Sequence, residues 1–299
     1  MPKITGGFPM KKSHLCSLAV GIIGLLCFGS SAVYAKDNMI QIKGSDTIVN
    51  LAQAWAEEFM TENPSVSIAV TGGGSGTGIA ALINGTTDIA NASRAIKKKE
   101  IDDAQKNGYY PEEFKVAIDA LAVIVNPANP VKELTIDQLS GIFTGKITNW
   151  NEVGGNDEKI LALSRDRNSG THMYFLEHVL RKGKEKGPEQ FAPSTLMLPS
   201  SEAIIAETAQ SVSAIGYDGL GYVTPKVKTI AVAGKSGEAF VLPSKETAMN
   251  KTYPITRHLY MYTAFKPKGD IKTFLDFVVS EKGQKIVDEL GFVPLSKKE

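Results

Sequence analysis

At 299 residues the chain is long enough for one large domain or two modest ones, and its 42% hydrophobic and 22% charged content is that of an ordinary globular protein. The formal net charge is +1, and Lys97-Lys98-Lys99 is the one triple basic run, with no Lys/Arg stripe interleaved with aromatics. That balance excludes a strongly basic nucleic-acid binder.

The first segment reads as a targeting signal. Lys11 and Lys12 precede an almost wholly apolar stretch from Leu15 to Phe28, and Val33-Tyr34-Ala35 offers small residues at the −3 and −1 positions of a cleavage point. An apolar run of about 14 residues falls short of the roughly 20 that span a membrane. Residues 1–35 are therefore expected to be a cleaved signal peptide, beginning at Met1 or Met10, and the protein to be periplasmic. Their removal takes away Lys3, Lys11, Lys12 and no acid, which leaves a net charge of −2. Both cysteines, Cys16 and Cys27, go with the signal, so the remainder has no disulfide, cysteine metal site or thiol nucleophile. Leu26 is not the small residue a lipoprotein signal wants before its cysteine, so a lipid anchor on Cys27 is the lesser expectation.

After the signal, short apolar runs alternate with helical patterns, which predicts an α/β fold. Ile40–Ile42 reads as a strand ending at Gly44-Ser45-Asp46-Thr47, followed by a helix with Ile48, Leu51, Ala52, Trp55 and Phe59 on one face and a stop at Asn63-Pro64. Val66–Val70 is a second strand, leading through a glycine run over 72–78 into a short helix. Asp88–Ala90 is a third, reaching Ser93-Arg94 before a helix over Lys98–Lys106. Leu121–Val125 reads as a strand that crosses between two lobes. The middle of the chain supplies a helix at Ile136–Phe143, a strand at Lys159–Ser164, a helix from Gly170 to about Arg181, a polar loop over Gly183–Pro193, a helix over Ser201–Ser211 and a strand at Ala214–Tyr217. Tyr253-Pro254 and the strand Leu259–Tyr262 read as the return crossing, and Ile271–Leu290 as one last long helix. Two crossings predict one lobe from 36–122 with 255–299 and a second from 123–254.

Three loops share one design. Gly44-Ser45-Asp46-Thr47, Gly74-Ser75-Gly76-Thr77 and Asn168-Ser169-Gly170-Thr171 each follow a predicted strand and open a helix. A helix N-terminus carries unpaired N–H groups and partial positive charge, glycine admits close approach, and hydroxyls add donors. Ordinary N-capping explains any one such loop; three of them point to a shared anion site. Arg94 and Arg165 each end a predicted strand, where a guanidinium can grip an oxyanion by two bonds. Arg167 reads equally well as solvated. Asp46 is a helix cap or a proton acceptor, and in the second role it would favour phosphate, which carries protons, over sulfate, which does not.

Enzyme motifs are weak. Gly234-Lys235-Ser236 lacks the upstream glycine of a phosphate-binding loop, because that position holds Thr229. Gly76-x-Gly78-x-x-Ala81 has no acid placed for a ribose. The four histidines are too scattered for a metal cluster, and His172 reads as an exposed helix residue rather than a base for Ser169. Trp55 and Trp150 read as core.

These residues resemble a known family. Gly44-Ser45-Asp46-Thr47, the Gly72–Gly78 run with Ser75, Asp88-Ile89-Ala90 leading to Ser93-Arg94, Ser164-Arg165 with Ser169-Gly170-Thr171, Ala214-Ile215-Gly216-Tyr217 and the ending Gly291-Phe292-Val293-Pro294-Leu295 are similar to the periplasmic phosphate-binding proteins of ABC-type (Pst) phosphate transport, in their shorter bacterial form. The resemblance runs over nearly all of residues 40–299. It implies a two-lobed type II periplasmic-binding-protein fold, a non-enzymatic, cofactor-free, monomeric receptor, and delivery of phosphate to the transmembrane subunits of a permease. The family's contacts fall on Thr47, Ile48, Ser75, Arg165, Ser169, Gly170 and Thr171; Ser45, Asp46, Gly76 and Arg94 complete the expected ligand set. Longer members carry an acid where this chain has Arg94 and Arg167. A receptor for sulfate, molybdate or tungstate, an exported phosphoryl-transfer or hydrolytic enzyme, and a sensory or adhesive surface protein are the alternatives.

Overall fold

A computed structural model describes residues 39–296, all within one compact unit. The signal segment expected at 1–35, with Cys16 and Cys27, lies outside the described residues.

The first half is built from parallel strands and crossover helices. Strand β1 (Met39–Gly44) pairs in parallel with β2 (Ser67–Thr71) and with β3 (Ile89–Ala92). A single 3₁₀ turn at Asp46–Ile48 follows β1 and runs into α1 (Val49–Glu62). That helix forms because Leu51, Ala52, Trp55, Ala56 and Phe59 recur at helical spacing and are buried together; it stops at Asn63, whose N–H bonds the Phe59 carbonyl. Helix α2 (Ser75–Ile83) connects β2 to β3, and α3 (Lys98–Lys106) follows. Parallel pairing turns the C-terminal ends of β1, β2 and β3 to one edge of the sheet, and the loops at 44–47, 72–75 and 93–94 all leave from that edge.

Strand β4 (Glu112–Val125) is the spine of the molecule. The sequence reading began this strand at Leu121; it begins nine residues earlier, because pairing with a distant strand holds residues whose local pattern is too charged to reveal them. The strands β5 (Glu133–Thr135), β6 (Leu161–Arg165), β7 (Leu196–Leu198), β8 (Ala214–Gly219), β9 (Lys228–Thr229), β10 (Ala231–Ala233) and β11 (Thr256–Thr263) complete the set. The order in the main sheet is β2-β1-β3-β11-β4-β8-β6-β7, with β9 also on β4, and β5 pairs β10 separately. Residues Glu112–Ala120 of β4 pair antiparallel with β11; from Leu121 onward β4 pairs with β8 instead. The β6 strand is parallel to both β7 and β8, so the ends of these three strands also share an edge.

Helices α4 (Ile136–Phe143), α5 (Gly170–Phe175), α6 (Ser201–Gln210) and α7 (Lys245–Met249) belong to the middle of the chain. The predicted helix from Gly170 to Arg181 is split: α5 ends at Phe175 and a wider π turn covers Leu176–Leu180. The single C-terminal helix expected at 271–290 is likewise two, α8 (Gly269–Val278) and α9 (Glu281–Glu289). Ser280 divides them, its hydroxyl donating to the Phe277 carbonyl and accepting from Gly283 N–H as the cap of α9. One large apolar core joins α1, α8 and α9 to β1 and to Val116, Ala117, Ala122 and Ile124 of β4; a second joins α4, α5 and the π turn to β8 and to Ile118, Ala120, Leu121, Val123 and Val125 of β4. Trp55 lies in the first and Trp150 in the second, both buried as the sequence reading expected. No helix of the described residues is long and apolar enough to cross a membrane.

Candidate anion-binding site

The two strand edges face each other, and their loops meet in a buried cluster of hydroxyl and guanidinium groups. Thr47 Oγ1 lies 2.7 Å from Thr171 Oγ1. Ser75 Oγ accepts the backbone N–H of Ser93 at 3.0 Å and lies 3.3 Å from the Ser93 hydroxyl, which is itself 3.5 Å from Thr171 Oγ1. Thr47, Ser75, Ser93, Ser169 and Thr171 are all buried. The three predicted loops therefore converge, although they lie up to about 120 residues apart in the chain.

Each loop reaches the cluster by a different local device. Ser45 is buried, and its N–H bonds the Asn91 carbonyl, which ties the first loop to the end of β3. Ile48 ends the 3₁₀ turn with its side chain in the core. Ser75 is the first residue of α2, and Gly74 before it, at φ 91°, lies where a Cβ would fall 2.7 Å from the Asn168 carbonyl oxygen. Gly76 N–H donates to that same oxygen at 2.9 Å, and the Asn168 amide donates to the Gly73 carbonyl at 2.7 Å. Ser169 caps α5, accepting the N–H groups of Thr171 and His172. Gly170 must lack a side chain, since a Cβ there would sit against Ser75 Oγ and 2.6 Å from Ser93 Oγ.

The charges are arranged in pairs. Arg165 Nη2 donates to Asp46 Oδ2 at 2.8 Å and to the Pro199 carbonyl at 3.0 Å. Its Nη1 donates to Ser201 Oγ at 2.9 Å and lies 3.6 Å from Asp218 Oδ2. The other Asp46 oxygen accepts Gly73 N–H at 2.8 Å, so the carboxylate ties the first two loops to the arginine of the third. Arg257, on β11, bonds Asp119 on β4 through Nε and Nη2, and its Nη2 also donates to Thr171 Oγ1 at 3.0 Å. Burial pushes the carboxyls of Asp119 and Asp218 up, against the pull of Arg257 on the first and Arg165 on the second. Two guanidinium groups thus face three carboxylates. The polarity that suits an anion comes from N–H and O–H dipoles, not from net charge.

Arg94 departs from the sequence expectation. Its guanidinium is fixed by Glu100 at 2.6 and 2.8 Å and by the Ala95 carbonyl, so its fork is spent on the start of α3. Burial pushes Glu100 up, but the hydrogen bond and charge of Arg94, with Lys97 N–H, outweigh it and hold this carboxyl below its usual range. His172 also departs: it is buried rather than exposed, its Nδ1 3.1 Å from Ser164 Oγ and its ring stacked on Phe191. Burial drives its pKa down to about 4. The Ser164 hydroxyl, not that of Ser169, meets the imidazole ring, and Tyr217 completes that chain at 2.6 Å. Among the described residues no three His, Cys, Asp or Glu side chains gather as a metal site would require.

Comparison with known proteins places this geometry. Residues 29–282 match the PBP superfamily domain. Over 272 residues the chain is 38% identical to the phosphate-binding protein PstS of Pseudomonas aeruginosa, covering 85% of this chain and 82% of that protein. The chain belongs to the PstS family. The PstS of Bacillus subtilis is 35% identical over 260 residues, covering 86% of this chain and 81% of its own. A crystal structure from Clostridium perfringens with bound phosphate superposes with a TM-score of 0.77 at 34% identity, covering 87% of this chain and all of that one. An ABC-type phosphate transport receptor from Vibrio cholerae gives 0.69 at 32% identity, with 86% of this chain and 100% of that chain covered. The curled mixed sheet is that of the type II periplasmic-binding-protein fold, as the resemblance implied.

Sequence reasoning missed Ser93, Asp119, Asn168, Asp218 and Arg257 as members of the cluster. Ser93 and Asn168 had local signals, one at a predicted strand end and one in the third loop; Asp119 and Asp218 lay just outside the predicted strands and entered β4 and β8 only in the structure, and Arg257 was legible only as a single base beside a predicted crossing.

Proposed function

We propose that this chain is an extracytoplasmic solute-binding protein that captures inorganic phosphate between two lobes and delivers it to an ABC importer. It is a binding protein, not an enzyme. The observation that carries the reading is the convergence of Thr47, Ser75, Ser169-Gly170-Thr171 and Arg165 on one buried, donor-rich point between two sheet edges. The names of the relatives, and the phosphate held by the Clostridium perfringens protein, support the choice of ligand.

The ligand set is Ser45, Asp46, Thr47, Ile48, Ser75, Gly76, Arg165, Ser169, Gly170 and Thr171; Arg94, held by Glu100, stands outside it. A tetrahedral oxyanion accepts from hydroxyls, from backbone N–H groups at helix starts and from a guanidinium, all of which these residues carry. The excess of carboxylate over guanidinium favours an oxyanion that brings its own proton. Phosphate does so near neutral pH and sulfate does not, and Asp46 is the acceptor for that proton. About ten donors at roughly 1 kcal/mol each suffice for micromolar affinity, which needs about 8 kcal/mol.

The lobes are 36–122 with 255–299, and 123–254. The switch of β4 from β11 to β8 at Ala120/Leu121 supports this division, because it marks where the strand leaves one half for the other. Closing the halves about β4 and β11 brings the loops together and dries the site, which strengthens each charged bond. Residues 1–35 direct export to the periplasm, and a monomer presents the closed form to the permease subunits. Calorimetric titration with phosphate and sulfate tests the reading, which fails if sulfate binds and phosphate does not.

A further inference from the structure

Arg257 is held more tightly than a side chain that merely fills space. Four of its five N–H groups are used: Nε and Nη2 on Asp119 Oδ2 at 3.1 and 2.8 Å, Nη1 on the Ser93 carbonyl at 3.1 Å, and Nη2 on Thr171 Oγ1 at 3.0 Å. The Tyr174 ring lies 5.4 Å from the guanidinium carbon. Arg257 and Asp119 are direct cross-strand partners on β11 and β4, the two strands that join the halves. Asp119 is fully buried, and its second oxygen accepts Leu220 N–H at 3.1 Å.

The contact with Thr171 is directional. A guanidinium can only donate, so it occupies one of the two lone pairs on Thr171 Oγ1. The hydroxyl proton of Thr171 is left to be given to another group, and a cationic donor behind the oxygen makes it a stronger donor. Thr171 Oγ1 lies 2.7 Å from Thr47 Oγ1, at the centre of the cluster. We propose that Arg257, oriented by Asp119, is a positioning residue that fixes Thr171 as a hydrogen-bond donor to the bound oxyanion and ties that state to the spacing of the two crossing strands. The inference rests on the anion-binding reading above. Arg257 acts through Thr171 and needs no contact with the ligand.

The test is a cycle of phosphate titrations by calorimetry on the full protein. The double substitution Asp119→Leu with Arg257→Met removes the pair without stranding a buried charge. It is expected to weaken phosphate binding about ten- to a hundredfold, the worth of one charge-assisted bond. Thr171→Val is expected to cost a similar factor, and the triple variant no more than about twofold beyond Thr171→Val alone. Thr171→Ser, which keeps the hydroxyl, is expected to retain the full dependence on Arg257. Losses that multiply in the triple variant, or unchanged affinity in a folded Asp119→Leu/Arg257→Met protein, would overturn the proposal. Should that double variant not fold, Arg257→Lys carries the test, since an ammonium keeps the charge but cannot serve Asp119, Ser93 and Thr171 in one fork; affinity equal to wild type would then refute it. Wild-type protein that binds no phosphate would instead remove the anion reading itself.

Discussion

Asp46 and Arg165, 119 residues apart, form a 2.8 Å ion pair that joins the loop after β1 to the end of β6. Asp46 also holds Gly73 N–H, so one carboxylate joins the first two loops to the strand end that leads into the third. On the proposed reading Asp46 accepts the ligand's proton and repels a fully ionised anion, and Asp46→Asn removes both effects. Competition titrations are expected to show the preference for phosphate over sulfate narrowing by about tenfold or more, the factor for one charged contact. An unchanged ratio would separate Asp46 from selectivity.

Arg165 and Arg94 should behave differently despite their matching places in the sequence pattern. Arg165→Ala leaves Asp218 buried and without its cation, and is expected to cost about 3–5 kcal/mol of stability as well as abolish binding. Arg94→Ala breaks a two-bond, mostly buried pair with Glu100, so it should cost about 1.5–3 kcal/mol of stability, yet leave phosphate affinity within about twofold. Denaturant melts and titrations on the two variants check this. A loss of binding on Arg94→Ala equal to that on Arg165→Ala would return Arg94 to the ligand set.

Gly170→Ala tests the approach of the loops. Its Cβ would meet Ser75 Oγ and lie 2.9 Å from Ser75 Cβ, forcing α5 away from α2. Overpacking of this kind costs about 1–3 kcal/mol, so phosphate affinity should fall about ten- to a hundredfold. Wild-type affinity would mean that the two loops need not close this far.

Stability should fall on acidification through His172. Its folded pKa is depressed to about 4 from 6.5, so the unfolded chain takes up a proton that the folded protein refuses. Stability is whole above pH 6.5 and is lost as pH falls toward 4, by about 3 kcal/mol at most. Burial holds His178 down as well and adds a loss of the same sign. His172→Gln, measured by melting between pH 7 and about pH 4, should show a shallower fall than wild type. Parallel curves would contradict the assignment.

Much of this was legible in the sequence because it is local. The helix at Lys98–Lys106 and the strand before Gly44-Ser45 follow from spacing and turn residues. The three Ser/Gly loops stood out because hydroxyl, glycine and helix start coincide within four residues. What stayed hidden depends on pairing across the chain. Glu112–Lys115 became strand only against β11, and Arg257 joined the site because its register partner is Asp119. Arg94 looked equivalent to Arg165 until Glu100, one turn into its own helix, took the guanidinium. The split between α8 and α9 turned on a single serine whose hydroxyl serves both helix ends.

The most direct test of the central claim is calorimetry of the protein, stripped of bound ligand, against phosphate and against sulfate at near-neutral pH. The account predicts saturable one-to-one phosphate binding with a dissociation constant of about 1 μM or below, and sulfate weaker by at least about a hundredfold. No saturable heat with phosphate, or sulfate bound as tightly as phosphate, would contradict it.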